Sequence, residues 1–323
     1  HYEFESLGEQ TDETMRTFFY GGRVDCVAGR GKFTGAYKLY DVNSMYPYVM
    51  SKYKHPIGAN LERRTKGGIG PDTVFLEIKC NNLGAFPAYE DESGLLNFTK
   101  RNGTFKVSIH EFNVAMELGL IDHIKILACI DCPRQTDFSE FVDPLYAERF
   151  IWKAEKIVSE NPDDYVTYPE YWHAVRQDML VKFALNNGYG KFAQNPRKFK
   201  ESFIRARDHM LPPPAGFEAE MFPRFYNDLY EIWEKPSVIR RYNNVATAAS
   251  ITGAARSVLL RGLYNSVDPI YADTDSIICK SLDNTELHPT KLGAWDLEAE
   301  FDEVLIAGKK LYACRKFAGA KNK

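Results

Sequence analysis

An α+β fold built on antiparallel strands is the expectation for this chain, and three observations carry it. Residues 267–271 and 277–279 are apolar and suited to strands, and the polar stretch Tyr271-Ala272-Asp273-Thr274-Asp275-Ser276 joins them as a hairpin. Residues 36–41 form a second strand-like run, far away in sequence, that also ends in a carboxylate, Asp41. Stretches at 168–192 and 244–265 read instead as long helices.

The 323 residues suffice for a large core, as one multilobed unit or two domains. Hydrophobic content of 44% and charged content of 26% are ordinary for a globular chain. Aromatics at 14% suit stacking surfaces and a well-filled core alike. A net charge of −3 argues against a generic nucleic-acid coat. It leaves room for local basic tracks, because binding depends on where charge sits. No apolar run reaches membrane length and no secretion signal opens the chain, so no membrane association is expected. The chain starts at His1 rather than Met, which points to a fragment or a processed chain. Of six cysteines only Cys129 and Cys132 have metal or redox spacing. Without a second pair they are expected to be ordinary reduced thiols of an intracellular protein.

In chain order, residues 1–35 are polar, with Phe19-Tyr20-Gly21-Gly22 as a turn or a site of close backbone approach. The strand at 36–41 leads into Val42-Asn43-Ser44-Met45-Tyr46-Pro47 and a short helix at 48–53. Ser44 is placed to cap that helix, and Pro47 is tolerated in a first turn. Residues 54–165 read as an insertion lobe with strands at 73–80 and 124–130 and helices at 110–118 and 137–158. The cluster Asn161-Pro162-Asp163-Asp164 breaks the chain before the helix at 168–192. There Lys182, Asn186 and Tyr189 fall at i, i+4 and i+7 and line one face. Gly188 and Gly190 weaken the end of that helix, which suggests that something approaches it closely. Residues 193–243 are loop-rich, with Arg197, Lys198, Lys200, Arg205 and Arg207 ahead of a Pro-rich run. The helix at 244–265 carries many small residues, and Thr252 and Arg256 share a face of it. Lys309-Lys310-Leu311-Tyr312 and a basic tail close the chain.

Asp273 and Asp275 are two apart, so on a regular strand they share a face. A solvated Asp-rich turn is the competing reading of the hairpin alone. If the strand of Asp41 neighbours the hairpin, three carboxylates converge, and such a cluster suits two hard divalent cations. A lysine presented from a separate helix then meets a triphosphate as a point charge.

At this point the residues resemble a known family. Asp41-Val42-Asn43-Ser44-Met45-Tyr46-Pro47 looks like motif A of family B DNA polymerases. Lys182-Phe183-Ala184-Leu185-Asn186-Asn187-Gly188-Tyr189-Gly190 looks like motif B, and Tyr271 to Ser276 looks like motif C, in the family's order. Three further stretches are similar to the protein-primed branch of small linear phage and plasmid genomes. Phe19-Tyr20-Gly21-Gly22 resembles its Tyr-x-Gly-Gly stretch, with Phe for the first Tyr. Thr252-Gly253-Ala254-Ala255-Arg256 resembles its Thr-x-x-Ala-Arg element, and Lys310-Leu311-Tyr312 its Lys-x-Tyr. The resemblance runs over roughly residues 19–316.

The resemblance implies a right-hand polymerase fold. Its first palm part would be residues 1–53 and its fingers 166–192, with the second palm part at 244–323. Residues 54–165 and 193–243 would be the branch's two terminal-protein-region insertions. The proofreading exonuclease domain and most or all of the thumb are expected to be missing. The implied activity is DNA synthesis from dNTPs on primer-template DNA with two Mg2+ ions, Mn2+ substituting, and with a terminal priming protein as a further partner. It would take place in the cytoplasm of a host cell. Asp41 and Asp275 would be the main metal ligands, helped by the Val42 carbonyl and by Asp273 nearby. Ser44, Lys182, Asn186, Tyr189 and Arg176 would serve the incoming nucleotide. Tyr46 would lie under its sugar and exclude a 2′-hydroxyl. Phe19, Gly21, Gly22, Gly190, Thr252, Arg256, Lys310 and Tyr312 would face DNA. Two other readings compete with this one. A catalytically crippled DNA- or primer-protein-binding fragment has all the same residues. A nuclease or cyclase on a similar carboxylate hairpin has no need of the Lys182 face.

Overall fold

Asp41 and the hairpin meet in a six-stranded antiparallel sheet. Its strands are β1 (Val24–Asp25), β2 (Gly31–Val42), β7 (Tyr271–Asp273), β8 (Ser276–Cys279), β9 (Trp295–Gly308) and β10 (Leu311–Lys316). Their order is β1-β7-β8-β2-β9-β10, so β2 lies between the hairpin and β9. The register sets Ser276 opposite Asp41 on one side and Asp296 opposite it on the other. The computed structural model describes residues 2–89, 96–159, 169–195, 200–206, 215, 218–219, 230–236 and 238–316.

The insertion lobe carries a second antiparallel sheet of β3 (Glu62–Arg64), β4 (Thr73–Asn82), β5 (Asn102–Ser108) and β6 (Ile121–Asp131), in the order β3-β6-β4-β5. Strand β4 alternates buried and outward residues from Leu76 onward, and Leu76, Ile78 and Cys80 face the lobe's own core. Helix α1 (Glu9–Arg16) precedes the palm sheet, α2 (Met45–Lys52) follows β2, and α3 (Ile109–Glu117) follows β5. Ser108 and Glu111 close a reciprocal capping box at the start of α3.

The helices α4 (Ser139–Ser159) and α5 (Pro169–Ala193) pack along one another as a pair. Helix α4, on the insertion side of residue 165, thus packs on α5 of the expected fingers. The reason is physical: an isolated α5 with Val181 and Leu185 on one side needs a partner for that side. Helix α6 (Val245–Tyr264) runs through the middle of the molecule. Asn244 caps it, accepting hydrogen bonds from the Ala246 and Thr247 amides at 3.1 and 3.3 Å. Its small residues let it touch three hydrophobic clusters at once, through Ile251 and Leu259, through Leu260, and through Val245 and Ala249. The basic positions Arg197, Lys198 and Arg207 and the Pro-rich run 211–214 lie outside the described residues. No helix among the described residues is long and apolar enough to cross a membrane.

Candidate active site

Three pieces of chain assemble around Asp41: the end of β2, the turn between β7 and β8, and the face of α5. The Val42 N–H donates to the Asp275 carbonyl at 2.9 Å, which locks the turn beside the end of β2. Burial, then the neighbouring Asp275, Glu298 and Asp296, push the Asp41 carboxyl up to about 8. Burial also raises Asp275, with Asp273 and Glu298 adding to the effect and Lys310 opposing it. Both carboxyls are held above their ordinary range first of all because their surroundings are poorly solvated.

Asp273 does not share it. Thr274 sits at φ 59°, a left-handed conformation, and its N–H donates to the Arg23 carbonyl at 2.7 Å. That twist ends the strand alternation, so two residues' spacing no longer means one face. Asp273 instead pairs with Lys310, whose Nζ lies 2.9 Å from Oδ1, and accepts from the Thr274 hydroxyl at 3.0 Å. Lys310, also left-handed at φ 61°, donates its backbone N–H to the Tyr271 hydroxyl at 2.7 Å. Tyr312 rests against the Tyr271 ring at 4.9 Å between centroids. The two residues expected at the primer end are thus tied to the hairpin itself.

Ser44 occupies the N-cap of α2 at φ 52° but its side chain makes no capping bond. Its hydroxyl accepts from Arg149 of α4 at 3.4 Å, and Arg149 also pairs with Asp178 of α5 at 3.0 Å. Arg149 and Asp178 escaped the sequence reading, since nothing in sequence marks two helices as neighbours. Tyr46 stacks flat on Tyr189 of α5, with centroids 4.0 Å apart and planes 9° from parallel. Burial, then Tyr189, raise the Tyr46 hydroxyl. Lys182 and Asn186 are exposed on α5, two turns and one turn before Tyr189, so Lys182 stands roughly 10 Å from it along the axis. Arg176 is exposed too, but six residues before Lys182 it turns to another side of the helix. Gly190 is exposed, and a Cβ there would meet nothing within 4 Å.

Thr252 and Arg256 stand where a direct DNA contact is out of reach. They are 2% and 3% exposed, and the Thr252 hydroxyl donates back to the Ala249 carbonyl at 3.2 Å. Arg256 turns inward to Glu111 and to the Tyr20 and Gly21 carbonyls. The cause is α6 itself, whose place in the core buries the face those residues share. Phe19 is partly buried against two hydrophobic clusters, Gly21 is exposed, and Gly22 abuts Thr274.

A divalent cation fits the donor set of Asp41, Asp275 and the adjacent backbone oxygens, because it stabilises the charged form that burial and neighbouring acids disfavour. Among the described residues no group of three or more His, Cys, Asp or Glu side chains forms a ready cation cage. Glu298, whose charge reaches both Asp41 and Asp275, is the further acidic residue the sequence reading missed. Its only signal is its place on β9, two residues past the partner of Asp41, which requires the pairing to be known.

The sequence profile of DNA polymerase type B, organellar and viral, matches residues 2–220. The chain belongs to that family. It is 38% identical over 312 residues to a DNA-directed DNA polymerase of Enterobacteria phage PRD1, covering 97% of this chain and 52% of the relative. A DNA polymerase of Streptococcus phage Cp-1 is 25% identical over 96% of the chain and 52% of its own length. The chain therefore spans about half the length of these two family members. Among solved structures, Phi29 DNA polymerase with primer-template DNA superposes with a TM-score of 0.61 at 21% identity, over 96% of this chain and 50% of that one. An orthorhombic crystal form of the same enzyme gives 0.63 at 19% identity, over 96% and 51%. This likeness carries the fold: an α+β arrangement with the antiparallel palm expected from the family's motifs.

Proposed function

We propose that this chain is the palm-and-fingers core of a template-directed DNA polymerase, joining dNTPs to a primer 3′-hydroxyl. The observation that carries the reading is the convergence of Asp41, at the end of β2, and Asp275, in the turn before the paired strand β8, beside the Tyr46–Tyr189 stack that ties α5 to α2. The primer oxygen would bond to the α-phosphorus as the bond to the bridging oxygen breaks, releasing pyrophosphate. Asp41, Asp275 and the Val42 carbonyl would hold two Mg2+ ions, with Mn2+ able to substitute. Bound there, they supply charge neutralisation and a more acidic primer hydroxyl. Lys182 would bind the triphosphate, and Arg149, next to Ser44, would add a second positive charge on the same side. Tyr46 and Tyr189 would part to admit the nucleotide, with Tyr46 then lying under the sugar and Tyr189 and Asn186 beside the base pair. Lys310 and Tyr312 would meet the primer end from the hairpin they are tied to.

The similarity of Phe19-Tyr20-Gly21-Gly22 and Lys310-Leu311-Tyr312 to the protein-primed branch supports a priming protein's hydroxyl as the first acceptor. Its phage relatives support the host cytoplasm as the place of action.

Primer extension on a recessed duplex with Mg2+ tests the reading. The unmodified chain is expected to extend the primer, and Asp275→Asn to lose at least about 100-fold in rate, the scale of losing a main source of transition-state charge stabilisation. Equal extension by both would remove Asp275 from the chemistry. No extension by either would favour a DNA- or primer-protein-binding fragment.

A further inference from the structure

The insertion lobe reaches the hairpin turn through a buried ion pair, as well as through Arg23, whose side chain donates to the Gly84 carbonyl at 2.8 Å. Arg256 and Glu111 are 3% and 1% exposed, and Arg256 Nε donates to Glu111 Oε1 at 2.7 Å. Arg256 Nη1 donates to the carbonyls of Tyr20 at 2.6 Å and Gly21 at 2.8 Å. The other terminal nitrogen, Nη2, is buried without a partner. Glu111 is fixed in turn, because its Oε2 accepts from the Ser108 N–H at 3.1 Å and the Ser108 hydroxyl at 2.9 Å. It cannot follow Arg256 without uncapping α3. Gly253 permits the approach, since a Cβ there would stand 2.3 Å from Ser108 Oγ.

The next link is backbone. Gly22 lies so close to the hairpin that a Cβ on it would meet Thr274 Cγ2 at 2.9 Å. Arg23 accepts the Thr274 N–H at 2.7 Å, and β1 pairs Val24 with Asp273 and Asp25 with Ala272. Residues 20–25 therefore splint the strained, left-handed Thr274 from outside, directly before Asp275. A buried ion pair is a poor way to gain stability, because well-packed apolar side chains serve as well. A planar guanidinium with acceptors on two of its nitrogens is a good way to fix positions.

We infer that Glu111 is a positioning residue for the Asp275 turn, acting through Arg256 and the backbone of Tyr20, Gly21 and Gly22. The inference rests on the polymerase reading for its consequence and on the contacts alone for its mechanism. It makes the inserted lobe part of the catalytic frame, so that the orientation of α3 bears on the rate of the chemical step.

Hydrogen exchange followed by mass spectrometry tests it without turnover. In Glu111→Gln the amide can serve Ser108 or Arg256 but not both. Peptides covering residues 20–25 and 271–278 are expected to exchange about tenfold faster or more. Ser108→Ala removes the capping hydroxyl but leaves both the ion pair and the Ser108 N–H that holds Glu111 Oε2, so it is expected to leave 271–278 unchanged. In primer extension, Glu111→Gln is expected to lose about tenfold in kcat with dNTP KM within about twofold. Unchanged exchange at 271–278 in Glu111→Gln, or equal acceleration in Ser108→Ala, would overturn the inference. Should Glu111→Gln fail to fold, Arg256→Lys keeps the charge beside Glu111 but cannot fork to the two carbonyls. The same acceleration is then required of it. A chain that extends no primer at all would sink the polymerase reading, while the exchange comparison would still decide the coupling.

Discussion

Tyr46 and Tyr189 show how a residue's role depends on what it touches. Face to face at 4.0 Å, each ring closes the space the other opens onto. A ring in that place discriminates by size. Tyr46→Val is therefore expected to raise ribonucleotide incorporation relative to deoxynucleotide by about 10–200-fold, the range for a small steric change in a pocket. Competing rNTP and dNTP extension on one template measures it, and an unchanged ratio would leave Tyr46 as packing only. At this scale the placement of Asp41 at a strand end beside the hairpin and the exposed Lys182–Asn186 face of α5 were legible from spacing alone. What the sequence hid was direction. Asp273 and Asp275 differ because one left-handed residue, Thr274, lies between them, and a non-glycine residue gives no warning of positive φ.

Between elements, His55, just after α2, and His110, in the first turn of α3, meet at Ser250 of α6, the first fully buried and the second half-buried. His55 Nε2 lies 2.9 Å from the Val49 carbonyl, which only accepts, so that nitrogen carries the proton. Its Nδ1 is 2.9 Å from the Ser250 hydroxyl, which also lies 3.3 Å from His110 Nε2. Burial, then its neighbour His110, hold His55 down to about 3, and burial holds His110 down to about 4. The unfolded chain thus binds more protons between pH 6.5 and these values. The histidines' contribution is whole above about pH 6.5 and is lost as pH falls toward 3. For His55 alone the loss at pH 5 is on the order of 2 kcal/mol. Asp41, held up to about 8, titrates in the opposite sense across this window, so the comparison must be between proteins. Urea unfolding at pH 7.5 and pH 5 is expected to show a smaller acid loss in His55→Gln than in the unmodified chain. Equal losses would mean that His55 takes up its proton without unfolding. Helix existence was legible here, since Asn244 and the small residues of α6 announced that element. Pairing was not: α4 and α5 are partners across a break that looked like a domain boundary.

For the whole molecule, net charge and function point in different directions. The chain carries −3, yet Lys310 in the β9–β10 turn pairs with Asp273 of the hairpin and Lys182 stands exposed on α5. DNA binding is therefore expected to follow local phosphate contacts. Affinity for primer-template should fall as salt rises from about 50 to 200 mM, with a log–log slope of roughly −0.9 for each phosphate neutralised. Lys182→Ala should leave that slope unchanged if the lysine serves the nucleotide alone. Fluorescence anisotropy at several salt concentrations reads both. The palm was legible as an order of motifs, because strands that must converge carry their carboxylates at their ends. That β9 lies beside β2, bringing Glu298 to the site, depends on a pairing across more than 250 residues that no local pattern encodes.

The raised Asp41 and Asp275 carboxyls make the fold a gauge of its own loading. Burial and neighbouring acids make ionising them costly, and a bound cation offsets that cost. Heat denaturation should then register Mg2+ in the absence of DNA, nucleotide or turnover, through about 2.7 kcal/mol at a hundredfold excess over the dissociation constant. Asp275→Asn should melt higher than the unmodified chain without Mg2+ and gain less when it is added. A melting temperature indifferent to Mg2+ in both proteins would show that the pair binds no ion without DNA. Where the gauge responds, the ion proposed for the chemistry would also be what lets this corner of the fold settle.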